Sequence, residues 1–311
     1  MAWTAPAMGQ TDVAQTLREA SEQIAFFNWD RAGRLYRAAM SDTEEGSAQW
    51  QEAAYGTAVA AQHVSPADPA KIDEAAKLYQ ALSKPELGSR FAARSLMNLG
   101  RIAELRDYYG DVPDLNTARK YYATVTERFP NEEIAAEATL RLASAYVQSY
   151  KPDDVKAGVD VLERYLSAYP DGPLASGMWQ YLGDTYFYPL ADFSKSLKAY
   201  VNADRLGWLD DSDIGRVWWR VAQLGERVGD VPTAIRFYTR IVTEAAVSGK
   251  AYESQMALKR LGAPVPKIRL GTAGSAEPAP ATQPTTVPMS APPGTRPVET
   301  PIPNLGGTTN G

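Results

Sequence analysis

At 311 residues the chain could hold two average domains or one long repeat array, and 44% hydrophobic content is enough to build a core. A net charge of −5, with Lys and Arg scattered among Asp and Glu, argues against a dedicated nucleic-acid binder, which would carry a basic face or stripe. With no cysteine there are no disulfides, thiolate metal sites, cysteine nucleophiles or lipid attachment at cysteine, and no apolar run approaches the roughly 20 residues that cross a bilayer.

Residues 1–11, within MAWTAPAMGQTD, lack the basic start and the apolar run of a complete signal peptide. Ala5-Pro6-Ala7 and Ala7-Met8-Gly9 nevertheless have the small-x-small form of a cleavage site. Two readings follow: the remnant of a longer export signal, or a frayed Ala-rich terminus.

From residue 12 onward apolar residues recur at i, i+3, i+4 and i+7, which is one helix face and not the alternation of a strand. In chain order the stripes are Leu17, Ala20, Ser21 and Ile24; Trp50, Ala53, Ala54 and Thr57; and Leu96, Leu99, Gly100 and Ala103. They continue as Thr139, Leu142, Ala143 and Tyr146; Trp179, Leu182, Gly183 and Tyr186; and Trp218, Val221, Ala222 and Gly225. A second-helix pattern, a small residue four before a large one, runs between and after them. It appears as Ala32…Tyr36, Ala75…Tyr79, Ala118…Tyr122, Gly158…Leu162, Ser196…Tyr200 and Ala234…Tyr238, at intervals of 43, 43, 40, 38 and 38 residues. Pro189 closes the helix of Trp179, and a second helix is expected from about Ala191. A helical hairpin cannot bury both faces alone, so stacked copies are the expected architecture.

W-x-x-L-G-x-x-Y, followed by a small residue before an aromatic and then a proline, resembles the tetratricopeptide repeat. Pro130 and Pro170 stand where the closing proline belongs. The resemblance covers residues 12–262, with a period longer than the usual ~34; the surplus falls in connections such as His63–Ala70 and Gly110–Asn116. It implies an all-α, right-handed solenoid of about six hairpins. The helix expected over Gly249–Leu261, with Ala251, Ser254, Leu258 and Leu261 on one face, would cap it. Small residues let the paired helices approach, and Trp179→Ala should cost about 3–5 kcal/mol if the indole is buried. Residues 263–311 contain 11 of the 22 prolines and five charged residues, with no apolar periodicity. They read as a disordered tail: a spacer, or a ligand for a proline-binding module.

Catalysis has little to stand on. His63 is the single histidine and is expected at a helix end on the surface. No phosphate loop, dinucleotide fingerprint or nucleophile turn occurs. The acidic groups Asp153-Asp154 and Asp210, Asp211 and Asp213 read as helix caps. No catalytic residue, cofactor or metal is expected. In the resembled family the first-helix face opposite the core stripe lines a peptide-binding groove. Gln180, Asp184, Phe187 and Tyr188 occupy that arc, as do Arg216, Trp219, Gln223, Glu226 and Arg227, and Arg94, Met97, Arg101 and Glu104. Trp218 already fills the core position, so Trp219 between Arg216 and Arg227 resembles an interface anchor; the competing reading packs Trp219 and Phe187 between adjacent repeats.

A non-catalytic scaffold or adaptor holding a protein or peptide is therefore expected, with no nucleic acid and no transmembrane segment. The endings ERFP-NEE and SAYP-DGP are similar to bacterial envelope repeat proteins, of Tol-Pal-associated periplasmic or outer-membrane-assembly type, which implies a periplasmic or exported location. The alternatives are a cytoplasmic regulatory or assembly adaptor and an accessory domain of an enzyme.

Overall fold

The computed structural model describes residues 13–209 and 212–267, and all regular structure among them is helical. Residues 1–12, Asp210 and Asp211, and all of the Pro-rich tail beyond residue 267 lie outside the described residues. The architecture is an all-α repeat of solenoid type, and it divides into two compact units, the first ending at Ser149 and the second beginning at Tyr150.

The first unit contains α1 (Val13–Ala25), α2 (Trp29–Ser41), α3 (Ala48–Gln62), α4 (Pro69–Ser83), α5 (Ala92–Glu104), α6 (Leu115–Arg128) and α7 (Ile134–Val147), with a 3-10 turn at Pro85–Leu87. Each helix packs on its neighbours in sequence. The second unit contains α8 (Pro152–Ala168), α9 (Ala175–Phe187), α10 (Phe193–Leu206), α11 (Ile214–Val228), α12 (Val231–Glu244) and α13 (Ala251–Arg260), again joined in sequence by helix pairing.

The helix starts are local chemistry. Asp68, Asp114, Asp192, Asp213 and Asp230 each accept a hydrogen bond from a backbone N–H in the following first turn, and Asn28 and Ser47 do so for α2 and α3. Asp213 is thus a cap as expected, and Asp153 and Asp154 lie in the first turn of α8. The cap at Asp192 sets the start of α10 at Phe193, two residues beyond Ala191. Proline sets two of the ends: α6 and α8 stop before Phe129-Pro130 and Tyr169-Pro170, because the residue preceding a proline is driven out of the helical region.

All six small–large pairs are buried. Ala75, Ala118 and Ala234 share one environment, each at 0% exposure with its paired tyrosine no more exposed than 1%. The close approach is visible at two glycines. A Cβ placed on Gly100 would lie 2.3 Å from the Tyr122 ring, and one on Gly183 would lie 2.5 Å from the Tyr200 ring. These are tetratricopeptide-like contacts, an aromatic ring seated on bare backbone.

Three expectations need correction. Trp179 is only half-buried; Met178, at 0% exposure, takes the core position beside Leu182 and Gly183. The rest of the stripe keeps its register: Leu182, Gly183 and Tyr186 are all buried in α9, and only its first position departs from expectation. His63 is no free surface residue: it ends α3 half-buried, its ring 5.0 Å from that of Trp29, and burial together with the nearby charge of Arg101 lowers its pKa. The packed chain also runs past Gly262. Ala263 and Val265 lie against the core of the second unit, and Gln255 Nε2 donates to the Pro266 carbonyl at 2.9 Å. The helix α13 buries Ala251, Ser254 and Leu258 as expected of it.

Candidate functional site

Much of the polar arc expected to line an open groove is consumed inside the hairpins. Tyr122 Oη donates to Glu104 Oε2 at 2.7 Å, Tyr200 Oη to Asp184 Oδ1 at 2.6 Å, and Tyr238 Oη to Glu226 Oε1 at 2.6 Å; Tyr79 Oη donates to Gln62 Oε1 at 3.0 Å. In each case the ring that fills the seam carries a hydroxyl that must be satisfied on burial, and the facing first helix supplies the acceptor. Burial, and then the adjacent carboxylate, drives the phenol pKa of Tyr122, Tyr200 and Tyr238 far above its ordinary value.

An arginine from a later helix stands within ion-pair distance of three of these carboxylates. Arg141 lies 3.7 Å from Glu104, Arg220 lies 3.7 Å from Asp184, and Arg260 grips Glu226 with two N–H donors at 2.7 and 2.8 Å. Arg260 holds the Glu226 carboxyl below its ordinary pKa. Glu104, only 5% exposed, also receives Gln148 Nε2 at 2.8 Å. Glu104, Asp184 and Glu226 are thus seam residues and not free groove ligands. The usable sequence sign was an acid one to four residues after the close-packed glycine, paired with a tyrosine in the next helix.

The other expected residues separate into three groups. Met97 is 2% exposed and belongs to the core. Arg101 is tied to Glu137 at 2.5 Å, Gln180 Nε2 donates to Ser176 Oγ at 3.2 Å, and Arg94 remains exposed on α5. Trp219 is half-buried: its ring lies 5.1 Å from that of Tyr238, the Lys250 ammonium stands 5.3 Å from its centroid, and it packs on the core of the second unit. The packing alternative therefore describes Trp219 better than an open anchor does. Trp218 fills the core at 6% exposure and donates through Nε1 to Asp204 at 2.8 Å.

On the second unit one stripe of α11 stays open, beside an aromatic cluster whose Phe187 and Phe193 pack on the core as Trp219 does and whose Tyr188 is exposed. Arg216, Arg220, Gln223 and Arg227 follow one another at four, three and four residues, so they share a helix face, and all four are exposed. Among the described residues Arg216 pairs with its neighbour Asp213, at 3.1 Å and largely in solvent. The Arg227 guanidinium lies 3.5 Å above the centroid of Phe193. Phe193 meets Phe187 edge-on at 5.3 Å, and Phe187 meets Tyr188 at 4.9 Å; Tyr188 itself is 67% exposed. Phe187, Tyr188 and Arg227 are thus brought together, with Trp219 outside the group. Among the described residues no group of three or more His, Asp or Glu side chains is placed to hold a metal ion, and no helix is long and apolar enough to cross a membrane.

No protein-family profile matches the chain, and no curated protein matches it. Among solved structures it is similar to PilF of Pseudomonas aeruginosa, with a TM-score of 0.49 and 14% identity over 80% of this chain and 96% of that one. It is also similar to BtubC of P. vanneervenii, with a TM-score of 0.44 and 15% identity over 87% of this chain and all of that one. At these values the likeness names neither a family nor a ligand.

Proposed function

We propose that the chain is a non-catalytic scaffold that docks a protein or peptide segment on the first-helix face of its second unit, along α11. The observation that carries this reading is the contrast between seams and stripe. Tyrosine hydroxyls and seam carboxylates satisfy one another inside the hairpins, while Arg216, Arg220, Gln223 and Arg227 stay exposed beside an exposed tyrosine. Arginine and tyrosine are enriched at the centres of protein interfaces because each combines a broad contact surface with directional hydrogen bonds.

The test uses the full chain in its native cells, with a photo-crosslinking residue at Gln223 or, as control, at the exposed Lys198 of the second-helix face. An adduct formed at Gln223 and absent at Lys198 is expected. No adduct at Gln223, or the same adduct from both positions, overturns the reading. The compartment we propose is the bacterial envelope, on the similarity of ERFP-NEE and SAYP-DGP to envelope repeat proteins; native protein found only in the cytoplasmic fraction would refute that placement.

A further inference from the structure

The exposed stripe of α11 has a definite charge and spacing, and both constrain what fits it. Three of its four residues are arginines, and among the described residues the acids near them are already committed. Asp184 accepts the Tyr200 hydroxyl at 2.6 Å and stands 3.7 Å from Arg220, beyond hydrogen-bond length, while Asp213 spends Oδ1 on the N-cap of α11. Exposed pairs of this kind are worth little and exchange readily with an incoming carboxylate.

Arg227 is held differently. Its guanidinium lies 3.5 Å above the Phe193 centroid, and among the described residues no carboxylate stands within ion-pair reach of it. Contact through the flat face uses none of the N–H groups, which project from the edge of the plane in a rigid fork matched to a carboxylate. The aromatic cluster of Phe193, Phe187 and Tyr188 thus fixes the fork and leaves it unfilled. The exposed Tyr188 ring beside it offers an apolar contact at the same end.

We infer that α11 receives an extended acidic segment of a partner protein, its carboxylates on Arg216, Arg220 and Arg227 and an apolar side chain against Tyr188. The inference rests on the docking reading above and names the partner's chemistry. At about 1.5 Å of rise per residue, Arg216 and Arg220 are separated by about 6 Å and Arg220 and Arg227 by about 10 Å. An extended chain advances about 3.3 Å per residue. The matching carboxylates therefore fall at positions i, i+2 and i+5. Internal carboxylates satisfy this spacing, and a free chain terminus is not required.

The probe is a fluorescein-labelled peptide with both ends blocked, carrying glutamates at i, i+2 and i+5 in a Gly/Ser background and one Phe beyond the last. Fluorescence anisotropy with the full chain should show saturable, salt-sensitive binding, weakened at least tenfold when the glutamates are moved to adjacent positions and absent when they are lysines. Arg220→Glu with Arg227→Glu should abolish binding. Arg227→Lys, which keeps the charge and loses the flat fork, should weaken it several-fold while leaving the circular dichroism spectrum and melting temperature unchanged. Equal binding of the lysine peptide, indifference to glutamate spacing, or undiminished binding by the charge-reversed chain would each overturn the inference. Gln223 adducts formed by a chain that ignores the glutamate probe would sink this inference and leave the docking reading standing.

Discussion

The Tyr200 hydroxyl donates to Asp184 at 2.6 Å, across the seam between α10 and α9, with the Tyr200 ring lying on the bare backbone of Gly183. A carboxylate on the outer arc of one helix is thereby drawn into the packing of a hairpin. Removing either partner should leave the other without its mate. Tyr200→Phe and Asp184→Ala are each expected to cost about 1–2 kcal/mol, and a double-mutant cycle read by urea denaturation should give a coupling of about 1 kcal/mol. Additive single costs would show that the bond contributes nothing.

Gly100→Ala tests the approach distance itself. Alanine in a helix interior gains about 1 kcal/mol over glycine. Here the new methyl would stand 2.3 Å from the Tyr122 ring, and repacking a filled core costs about 1–3 kcal/mol. Net destabilisation is the expected outcome, seen as a lower urea midpoint at unchanged slope, and a rise in the midpoint would contradict the packing.

Within α9 the two adjacent large residues should behave unequally. Met178 is wholly buried and Trp179 half-buried, so Met178→Ala should cost about 2–5 kcal/mol and Trp179→Ala less. Thermal melts of the two variants check this. The reverse order would restore Trp179 to the core position expected of it.

Trp219 and Tyr188 separate stability from docking. Trp219→Ala removes a ring packed on Tyr238 and should lower the melting temperature. Tyr188→Ala deletes a side chain that is 67% exposed, and should leave the melting temperature unchanged while reducing crosslinking at Gln223. Equal effects of the two substitutions on both readouts would refute this division.

His63 gives the chain a specific pH response near neutrality. Burial first, and the charge of Arg101 second, lower its pKa below the ordinary 6.5, so the folded chain holds it neutral. The unfolded chain takes up its proton as pH falls through 6.5 and the folded chain does so only lower, so stability declines over that interval. Denaturation midpoints of wild type and His63→Gln, measured from pH 7.5 downward, should diverge below 6.5, the wild type falling faster. Parallel curves would show that His63 titrates normally in the folded chain.

The hairpins and their small–large contacts were legible in the residues because both are nearly one-dimensional. Helical periodicity is written into spacing, and a ring can approach a backbone only where the facing residue is small; Ala75, Ala118 and Ala234 follow from that alone. The cap at Asp213 was legible for the same reason, since it acts within three residues of itself.

The fate of the polar face was decided only in three dimensions. Glu104, Asp184 and Glu226 have the spacing of groove residues, yet a tyrosine hydroxyl from the next helix claims each of them, with an arginine from a later helix within ion-pair distance. Trp219 and Trp179 depend likewise on how far each helix is rotated against its neighbour. One residue of helical phase turns a side chain by about 100°, and that phase is set by the volumes packed in the seam, which no single stripe records. Sequence alone therefore determined that paired helices repeat; tertiary packing determined that the open chemistry lies along Arg216, Arg220, Gln223 and Arg227, with Tyr188 beside it.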